Sequence, residues 1–173
     1  MRYFLTTSRL GFRRWENEDL PLAHQLWGDP QVTRFLCGLF TPESIDSRLE
    51  TEIALQREHG LQYWPIFLLA NGAHVGCCGL RPYEPHIPEL GFHLSPEYWG
   101  QGLAAEAAGA AVDYAFGVLG AHAVFAGHLP GNERSGRALL KAGFKYNGMK
   151  VYPPTGLLEP TYLLRRGVAR SDS

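Results

Sequence analysis

The sequence YWGQGLAAEA, from Tyr98 to Ala107, predicts a glycine-containing turn between a strand and the start of a helix. Its two glycines, Gly100 and Gly102, let the backbone come close to a ligand because they have no side chain. The free N–H groups and the dipole of a helix N-terminus favour phosphate oxygens at such a place. The stretch therefore indicates an anion-binding loop, and the alternative is a tight strand-to-helix turn that binds nothing.

Two other phosphate-binding motifs compete with this interpretation. The run from Gly100 to Ala105 also fits the dinucleotide fingerprint G-x-G-x-x-G/A, which would predict a nicotinamide or flavin cofactor. That fingerprint needs a parallel strand-helix-strand unit with an acid at the end of the next strand. The next predicted strand, Ala121 to His128, contains no carboxylate. No Gly-Lys-Ser/Thr follows the glycines either, so a Walker loop is excluded and a dinucleotide site is disfavoured.

Hydrophobic periodicity and turn residues predict short strands and helices on both sides of the loop. The Asn71-Gly72 pair predicts a tight antiparallel hairpin. Strands are predicted over Ser8–Trp15, Trp64–Ala70, Ala73–Leu80, Glu89–Leu94, Ala121–His128, Phe144–Tyr152 and Thr161–Arg165. Helices are predicted from Leu20 to Trp27, where Asp29-Pro30 breaks the pattern, from Thr41 to Gly60, from Ala104 to Leu119 and from Asn132 to Gly143.

Composition sets the class of the chain. With 173 residues, of which 45% are hydrophobic and 19% charged, the chain is expected to fold as a single domain over residues 1–173. Sixteen Lys and Arg against 17 Asp and Glu give a net charge of −1, which favours neither a nucleic-acid nor a membrane partner. Because no apolar run approaches ~18 residues and MRYFLTTSRL lacks a signal-peptide pattern, we expect a cytoplasmic protein.

The cysteines and histidines predict neither a disulfide framework nor a metal site. Cys37, Cys77 and Cys78 are an odd number, and the adjacent pair lies in a predicted strand where successive side chains point to opposite faces. The sequence has no Cys-x-x-Cys and no helical pair of histidines at i and i+4 beside a carboxylate. We therefore expect no metal.

Six segments share the order and spacing of one known family: RLGFRRW, GDPQVTRFL, ELGFHL, SPEYWGQGLAAEA, VDYAFGVLGAHAV and NERSGRALLKAGF. They resemble the GNAT acyl-CoA N-acyltransferases, and within them the RimJ/RimL-like branch, which includes ribosomal-protein N-terminal acetyltransferases. The family's pyrophosphate loop usually has the pattern Gln/Arg-x-x-Gly-x-Gly/Ala. Trp99 stands where Gln or Arg would, with Gly102 and Ala104 in register, which is typical of this branch.

The resemblance implies an α/β (α+β) fold with a mixed, mainly antiparallel sheet of about seven strands flanked by about four helices. It also implies acetyl-CoA as the acyl donor. The strand Glu89–Leu94 would splay from Ala121–His128, and pantetheine would enter the slot like an extra strand. The residues implied to bind acetyl-CoA are Phe92, His93, Leu94, Trp99, Gly100, Gln101, Gly102, Leu103, Ala104, Ala105, Asn132, Ser135 and Arg137.

Acetyl transfer requires a base that takes a proton from the amine. Glu89 stands on the strand that would line the slot, and partial burial would raise its pKa toward that task. The alternatives are His93, which lies four residues along on the same face of the strand, and a chain of waters. A purely structural carboxylate at Glu89 is the remaining interpretation.

The helix after Asn132 supplies the candidate acid. The RimJ/RimL-like branch carries Ser three residues after this Asn, so the resemblance implies that the Ser135 hydroxyl hydrogen-bonds the sulfur of CoA and relays a proton. Many other family members have a tyrosine where this chain has Leu139. Asn132 also fits an N-cap, and Arg137 belongs to a basic stripe that a solvated helix face would equally explain.

The acceptor is expected between the first helices and the far end of the slot, where Trp27, Asp29 and Phe35 are the candidate residues. It would be a protein N-terminus or a small-molecule amine. The departure at Leu139 leaves a second hypothesis, a non-catalytic acyl-CoA-binding module. A homodimer through the sheet edge or the last strands is possible.

Overall fold

The computed structural model describes residues 2–36, 40–153 and 155–167. The strands are β1 (Leu5–Thr6), β2 (Leu10–Phe12), β3 (Tyr63–Leu68), β4 (His74–Glu84), β5 (Ile87–Leu94), β6 (Ala123–Gly127), β7 (Lys145–Tyr152) and β8 (Leu157–Arg165). The α-helices are α1 (Leu20–Trp27), α2 (Pro30–Thr33), α3 (Pro42–His59), α4 (Leu103–Gly117) and α5 (Glu133–Lys141). Cys37 lies outside the described residues.

The strands form one sheet in the order β1-β2-β3-β4-β5-β6-β8-β7. All neighbouring pairs are antiparallel except β5 and β6, which are parallel. The ladder between β5 and β6 consists of Glu89 with Phe125 and Leu90 with Ala126. The two strands therefore separate after Leu90, and the β6-facing edge of β5 from Gly91 onward has no strand partner in the described sheet.

The expected mixed, mainly antiparallel sheet is confirmed, with eight strands instead of about seven. The extra strand arises because Ser8–Trp15, predicted as one strand, contributes only Leu10–Phe12, and this segment pairs with the two-residue strand Leu5–Thr6. Two residues are too short to show the alternation from which a strand is predicted. The hairpin around Asn71-Gly72 is confirmed, with Gly72 at φ 72°.

An additional helix stands where the sequence predicts only a break. The first helix ends at Trp27 with Gly28 as its C-cap, and Asp29 then caps α2, because its Oδ1 accepts a hydrogen bond from Gln31 N at 2.7 Å. Pro30 occupies the first helical position, where the missing N–H costs nothing. The Asp-Pro pair therefore begins a new helix, and a helix of four residues gives too little periodicity to be predicted.

The helices cover both faces of the sheet. On one face α4 packs through fully buried alanines, including Ala107, Ala108 and Ala111, whose small side chains let the helix lie close to the strands. On the other face α1 and α3 enclose a second core around Trp27. Cys77 and Cys78 are both buried free thiols in different cores, as the alternation along a strand predicts. None of the described helices is long and apolar enough to cross a bilayer.

Exposed apolar side chains are found on the last two strands. The edge strand β7 exposes Tyr146, Met149 and Val151, and its neighbour β8 exposes Leu157 and Leu158. This is where the sequence places the possible homodimer contact, which stays a prediction.

Candidate functional site

A cleft of about 850 Å³ opens where β5 and β6 separate. Its walls come from β5, the glycine loop, the end of β6 and α5, with α2 and α3 at one end. Gln101 does not line it, because its side chain turns back and Nε2 donates to the carbonyl oxygen of Glu97 at 2.8 Å. The other residues predicted to bind the acyl donor all line the cleft: Phe92, His93, Leu94, Trp99, Gly100, Gly102, Leu103, Ala104, Ala105, Asn132, Ser135 and Arg137.

The glycine loop has the geometry of an anion cradle. Gly100 and Gly102 have φ of 76° and 77°, a left-handed conformation that favours glycine. Trp99 Nε1 donates to Leu94 O at 2.8 Å and ties the loop to the end of β5. The first hydrogen bond of α4 runs from Glu106 N to Gly102 O at 3.1 Å. The N–H groups of the preceding helical residues are therefore outside the helical ladder and available to a ligand.

Cationic side chains surround this cradle. A side-chain carbon built at Gly102 would lie 3.7 Å from Arg9 Nη2 and 3.9 Å from Lys141 Nζ. Arg134 places its guanidinium 4.9 Å from the centroid of the Trp99 ring. Arg9 is anchored by Glu106, whose Oε2 lies 2.5 Å from Nη2. Arg9 was not among the predicted site residues, because nothing in the first strand's pattern indicates that it reaches α4.

The unpaired edge of β5 suits a pantetheine arm. From Gly91 to Leu94 the strand pairs with β4 on one side only. A strand edge offers backbone N–H and C=O groups, which an extended molecule with amide groups can bind as an added strand does. Together with the cradle at Gly102, the described residues therefore fit acetyl-CoA.

Glu89 lies on β5 at the point where the strands begin to part. Its side chain is partly buried, and Oε2 accepts a hydrogen bond from the Tyr152 hydroxyl at 3.1 Å. Burial raises the pKa of Glu89 above 4.5, and the bond from Tyr152 and the charge of Arg81 only partly oppose this rise. A carboxylate with a raised pKa is a stronger base than an ordinary one, so Glu89 is suited to take a proton.

His93 is held as a neutral ring. Its Nδ1 lies 3.2 Å from Trp27 Nε1 and 3.5 Å from the sulfur of Cys77. Burial, and then the charges of Arg48 and Arg81, hold the pKa of His93 well below 6.5. Because an indole N–H can only donate, this network assigns the acceptor role to Nδ1 and the proton to Nε2. In this tautomer His93 is a hydrogen-bond donor toward the cleft, which favours Glu89 over His93 as the base.

Of the three predicted acceptor residues, only Phe35 lines the cleft. Trp27 has no exposed surface and supports His93 from behind, so a contact between Trp27 and an acceptor is ruled out by its burial. Asp29 is used as the cap of α2 and does not line the cleft. Trp27 packs in the second core, and the Asp29-Pro30 pair begins α2.

Ser135 and Asn132 lie together at the start of α5. Asn132 Oδ1 accepts from Ser135 N at 3.4 Å, so the N-cap interpretation of Asn132 is correct. The Ser135 hydroxyl lines the cleft and makes no hydrogen bond to a described residue, which leaves it available to a ligand. Leu139 is buried in the wall. Among the described residues no group of three or more His, Cys, Asp and Glu side chains could hold a metal ion.

The side of the cleft next to α3 contains an ionic cluster that sequence reasoning missed. Glu52 on α3 is fully buried and accepts hydrogen bonds from Arg81 and from Tyr63 N, the latter at 2.8 Å. Arg48, one turn before Glu52 on α3, also lines the cleft. A buried Glu in a charged helix gives no periodic signal, and the partner arginine lies 29 residues away on β4.

Residues 9–145 match the family described as acetyltransferase (GNAT) domain. The uncharacterised N-acetyltransferase YoaA of Bacillus subtilis is 31% identical over 150 residues, covering 84% of each chain. An acetyltransferase (GNAT family) of Bacillus anthracis superposes with a TM-score of 0.81 at 26% identity, covering 93% of this chain and 97% of that one. A ribosomal-protein-S5-alanine acetyltransferase of Vibrio fischeri has a similar fold, with a TM-score of 0.73 at 18% identity and coverage of 94% and 96%.

Proposed function

Because this chain belongs to the GNAT acetyltransferase family, we propose that it transfers an acetyl group from acetyl-CoA to a primary amine, directly and within a ternary complex. The observation that carries the proposal is the position of Glu89. This carboxylate with a raised pKa lies at the point where β5 parts from β6 and lines the same cleft as the glycine cradle. A proton acceptor and a donor site therefore share one cleft.

The chain's own residues account for donor binding. The edge of β5 from Gly91 to Leu94 would hold the pantetheine amides, and the N–H groups at the start of α4 would hold the pyrophosphate, with Arg9 and Lys141 beside them. When bound, acetyl-CoA supplies an activated thioester. A backbone N–H group on the free edge of β5 would orient its carbonyl oxygen.

In the proposed transfer, the amine nitrogen forms the new C–N bond and the thioester C–S bond breaks. Glu89 takes the proton that the nitrogen loses. The departing sulfur receives a proton delivered through the Ser135 hydroxyl. Tyr152, bonded to Glu89 at 3.1 Å, holds the carboxylate in place.

Ser135→Ala is expected to lower kcat by about 10- to 100-fold while leaving acetyl-CoA binding nearly unchanged, because a thiol is a fairly good leaving group and needs only modest help. Steady-state kinetics and a binding isotherm measure the two quantities. Ser47→Ala, which removes an exposed hydroxyl on α3 outside the cleft, serves as the control. An unchanged kcat under conditions where chemistry limits turnover would remove the acid role from Ser135.

Tyr152→Phe is expected to shift the acidic limb of the kcat profile to higher pH. Activity needs ionised Glu89, so kcat rises as pH passes upward through the pKa of that group. The Tyr152 hydroxyl stabilises the ionised form, and its loss raises the pKa of Glu89 further. The variant should therefore lose several-fold more activity below the inflection than on the plateau. Tyr146→Phe, at an exposed ring on β7, should leave the profile unchanged.

Two classes of acceptor are consistent with this site, a protein N-terminus and a small-molecule amine. The fold of the Vibrio fischeri ribosomal-protein-S5-alanine acetyltransferase, together with the RimJ/RimL-like sequence pattern, supports the first class. A non-catalytic acyl-CoA-binding module is the alternative function, and it is favoured by Leu139, which puts an apolar side chain where many family members have a tyrosine.

Thermal unfolding with acetyl-CoA, with CoA, with NAD and without ligand tests the donor site. A ligand at ~100 times its Kd stabilises the folded state by ~2.7 kcal/mol, which should raise Tm by roughly 5 to 10 °C. Gly102→Asp should abolish the shift, because its carboxylate would repel the pyrophosphate and pair with Arg9 and Lys141. Gly120→Asp is the matched control, since Gly120 also has a positive φ and open space around it. A shift with NAD and none with acetyl-CoA would refute the assignment.

An assay with a set of primary amines then distinguishes an acetyltransferase from a non-catalytic acyl-CoA-binding module. Release of free CoA thiol in the presence of an amine is expected for the transferase. A protein that is stabilised by acetyl-CoA and releases no thiol with any peptide or small amine would be the binding module instead.

A further inference from the structure

Two arginines line the cleft on the side of α3. Arg48 comes from α3, and Arg81 comes from β4, where it stands opposite Glu89 in the ladder. Their side chains are 21% and 26% exposed, and both residues line the cleft. Both are within the end of the cleft that Phe35 also lines. This end therefore presents cationic donors to whatever amine enters it.

The cluster has more donors than acceptors. The buried carboxylate of Glu52 accepts a hydrogen bond from Arg81, but it lies 3.7 Å from Arg48 Nη2, beyond hydrogen-bonding distance. Arg48 instead places its guanidinium over the Trp27 ring, 4.8 Å from the centroid. The Nε atoms of both arginines are buried without a hydrogen-bond partner among the described residues. Two guanidinium groups thus lie near one carboxylate, and only Arg81 is hydrogen-bonded to it. The guanidinium group of Arg48 donates no hydrogen bond to a described residue.

The two carboxyl groups that line the cleft accept hydrogen bonds from hydroxyl groups. Glu89 accepts from the Tyr152 hydroxyl, and the buried Glu159 accepts from Thr155 Oγ1 at 2.7 Å. His93 stands on the same strand as Glu89 as a neutral ring. The guanidinium group of Arg48 is therefore the one beside α3 that has no hydrogen-bonded carboxylate among the described residues, while Arg81 is shared between Glu52 and its strand neighbour Glu89.

We propose that the acceptor is a small amine that also carries a carboxylate, such as an amino acid, and that Arg48 binds this carboxylate beside Arg81. The inference rests on the proposed acetyl transfer and names the class of its acceptor. A guanidinium provides paired N–H donors that match a carboxylate, and a desolvated site strengthens such bonds. The amine of such an acceptor would face Glu89, which is the strand neighbour of Arg81.

The same charges explain how the amine becomes reactive. An ammonium group cannot attack a thioester, so the bound amine has to lose a proton first. Two nearby cations disfavour a third positive charge and lower the pKa of the amine. The carboxylate of the acceptor is only held, and the bonds made and broken are those of the proposed transfer. Polycationic amines should bind poorly, because they would meet Arg48 and Arg81 without a compensating anion.

The test compares each of five amino acids with its primary carboxamide: alanine, serine, methionine, phenylalanine and glutamate. Thiol release measures turnover, and thermal unfolding of the complex with CoA measures acceptor binding without turnover. We expect the free acids to have at least a tenfold higher kcat/KM than the amides. Arg48→Gln should raise KM for the acids by about tenfold or more, with little change for the amides. Arg48→Lys should restore part of the difference.

The control is Arg57→Gln, on the same helix but with a side chain that is 77% exposed and outside the cleft. If turnover does not distinguish acids from amides, or falls equally for both in Arg48→Gln, the proposed carboxylate site is wrong and the proposed acetyl transfer still stands. If only the acids stabilise the complex with CoA against thermal unfolding and no thiol is released, the carboxylate site stands and the proposed acetyl transfer is wrong. Turnover of C-terminally amidated peptides only, or no binding and no turnover of any acid or amide, would refute the inference.

Discussion

Glu89→Gln is expected to lower kcat by about 10²- to 10⁴-fold, the range of a positioned general base. Glutamine has nearly the same shape and can still accept the hydrogen bond from Tyr152, so the cleft should keep its geometry. What is lost is the capacity to take a proton. Steady-state kinetics with an accepted amine, together with acetyl-CoA binding by the variant, measures this effect. Binding of the acyl donor should change little.

The pH dependence makes the test of Glu89 sharper. The wild-type acidic limb reports ionisation of a carboxyl whose pKa burial has raised, so this limb should disappear in Glu89→Gln. Glu84→Gln is the matched control, since Glu84 is an exposed carboxylate at the end of β4 outside the cleft. A variant that keeps full kcat with an unchanged acidic limb would assign the proton to a chain of waters.

Local sequence patterns predict the elements that frame the cleft. Three local patterns are enough for this: the glycines of the loop, the alternation of ELGFHL and the cap at Asn132. Each depends only on residues that are neighbours in the sequence, so each can be predicted without knowledge of the fold. Boundaries are less well determined. The strand around Glu89 begins at Ile87, because its pairing with Glu84 on β4 extends it beyond the apolar alternation. The sequence does not predict the short elements β1 and α2, since neither is long enough for its apolar period to repeat.

The acceptor end was much less predictable than the donor end. Its charges come from α3 and β4, which pack together only in the folded chain, and Arg48 looks like an ordinary solvated residue of a polar helix. Trp27 failed as a predicted acceptor contact for the opposite reason. It has no exposed surface, and its indole N–H is turned toward His93. Sequence spacing locates a residue along an element without saying which neighbour its side chain meets.

Arg81→Leu is expected to lower the free energy of unfolding by about 3 to 5 kcal/mol. The substitution leaves the Glu52 carboxylate, which has no exposed surface, without the guanidinium that donates to it. Removing one partner of a buried ion pair is costly because the remaining charge stays desolvated. Arg48 offers little compensation from 3.7 Å. Chemical denaturation of the variant and of the parent protein measures the difference. Arg57→Leu, at an exposed pair with Glu58, should cost no more than about 1 kcal/mol.

The double variant Arg81→Leu with Glu52→Leu separates the cost of an unpaired charge from the cost of lost packing. Because this change removes both charges together, it should recover most of the stability lost in the single variant. It also removes the acceptor for the Tyr63 backbone N–H, so recovery is expected to fall short by about 1 to 3 kcal/mol. If the double variant is as unstable as Arg81→Leu, the arginine stabilises the protein through its contact with the Tyr63 ring, 4.3 Å away, rather than through Glu52. A stable double variant that no longer distinguishes amino acids from their amides would link this ion pair to the shape of the acceptor site.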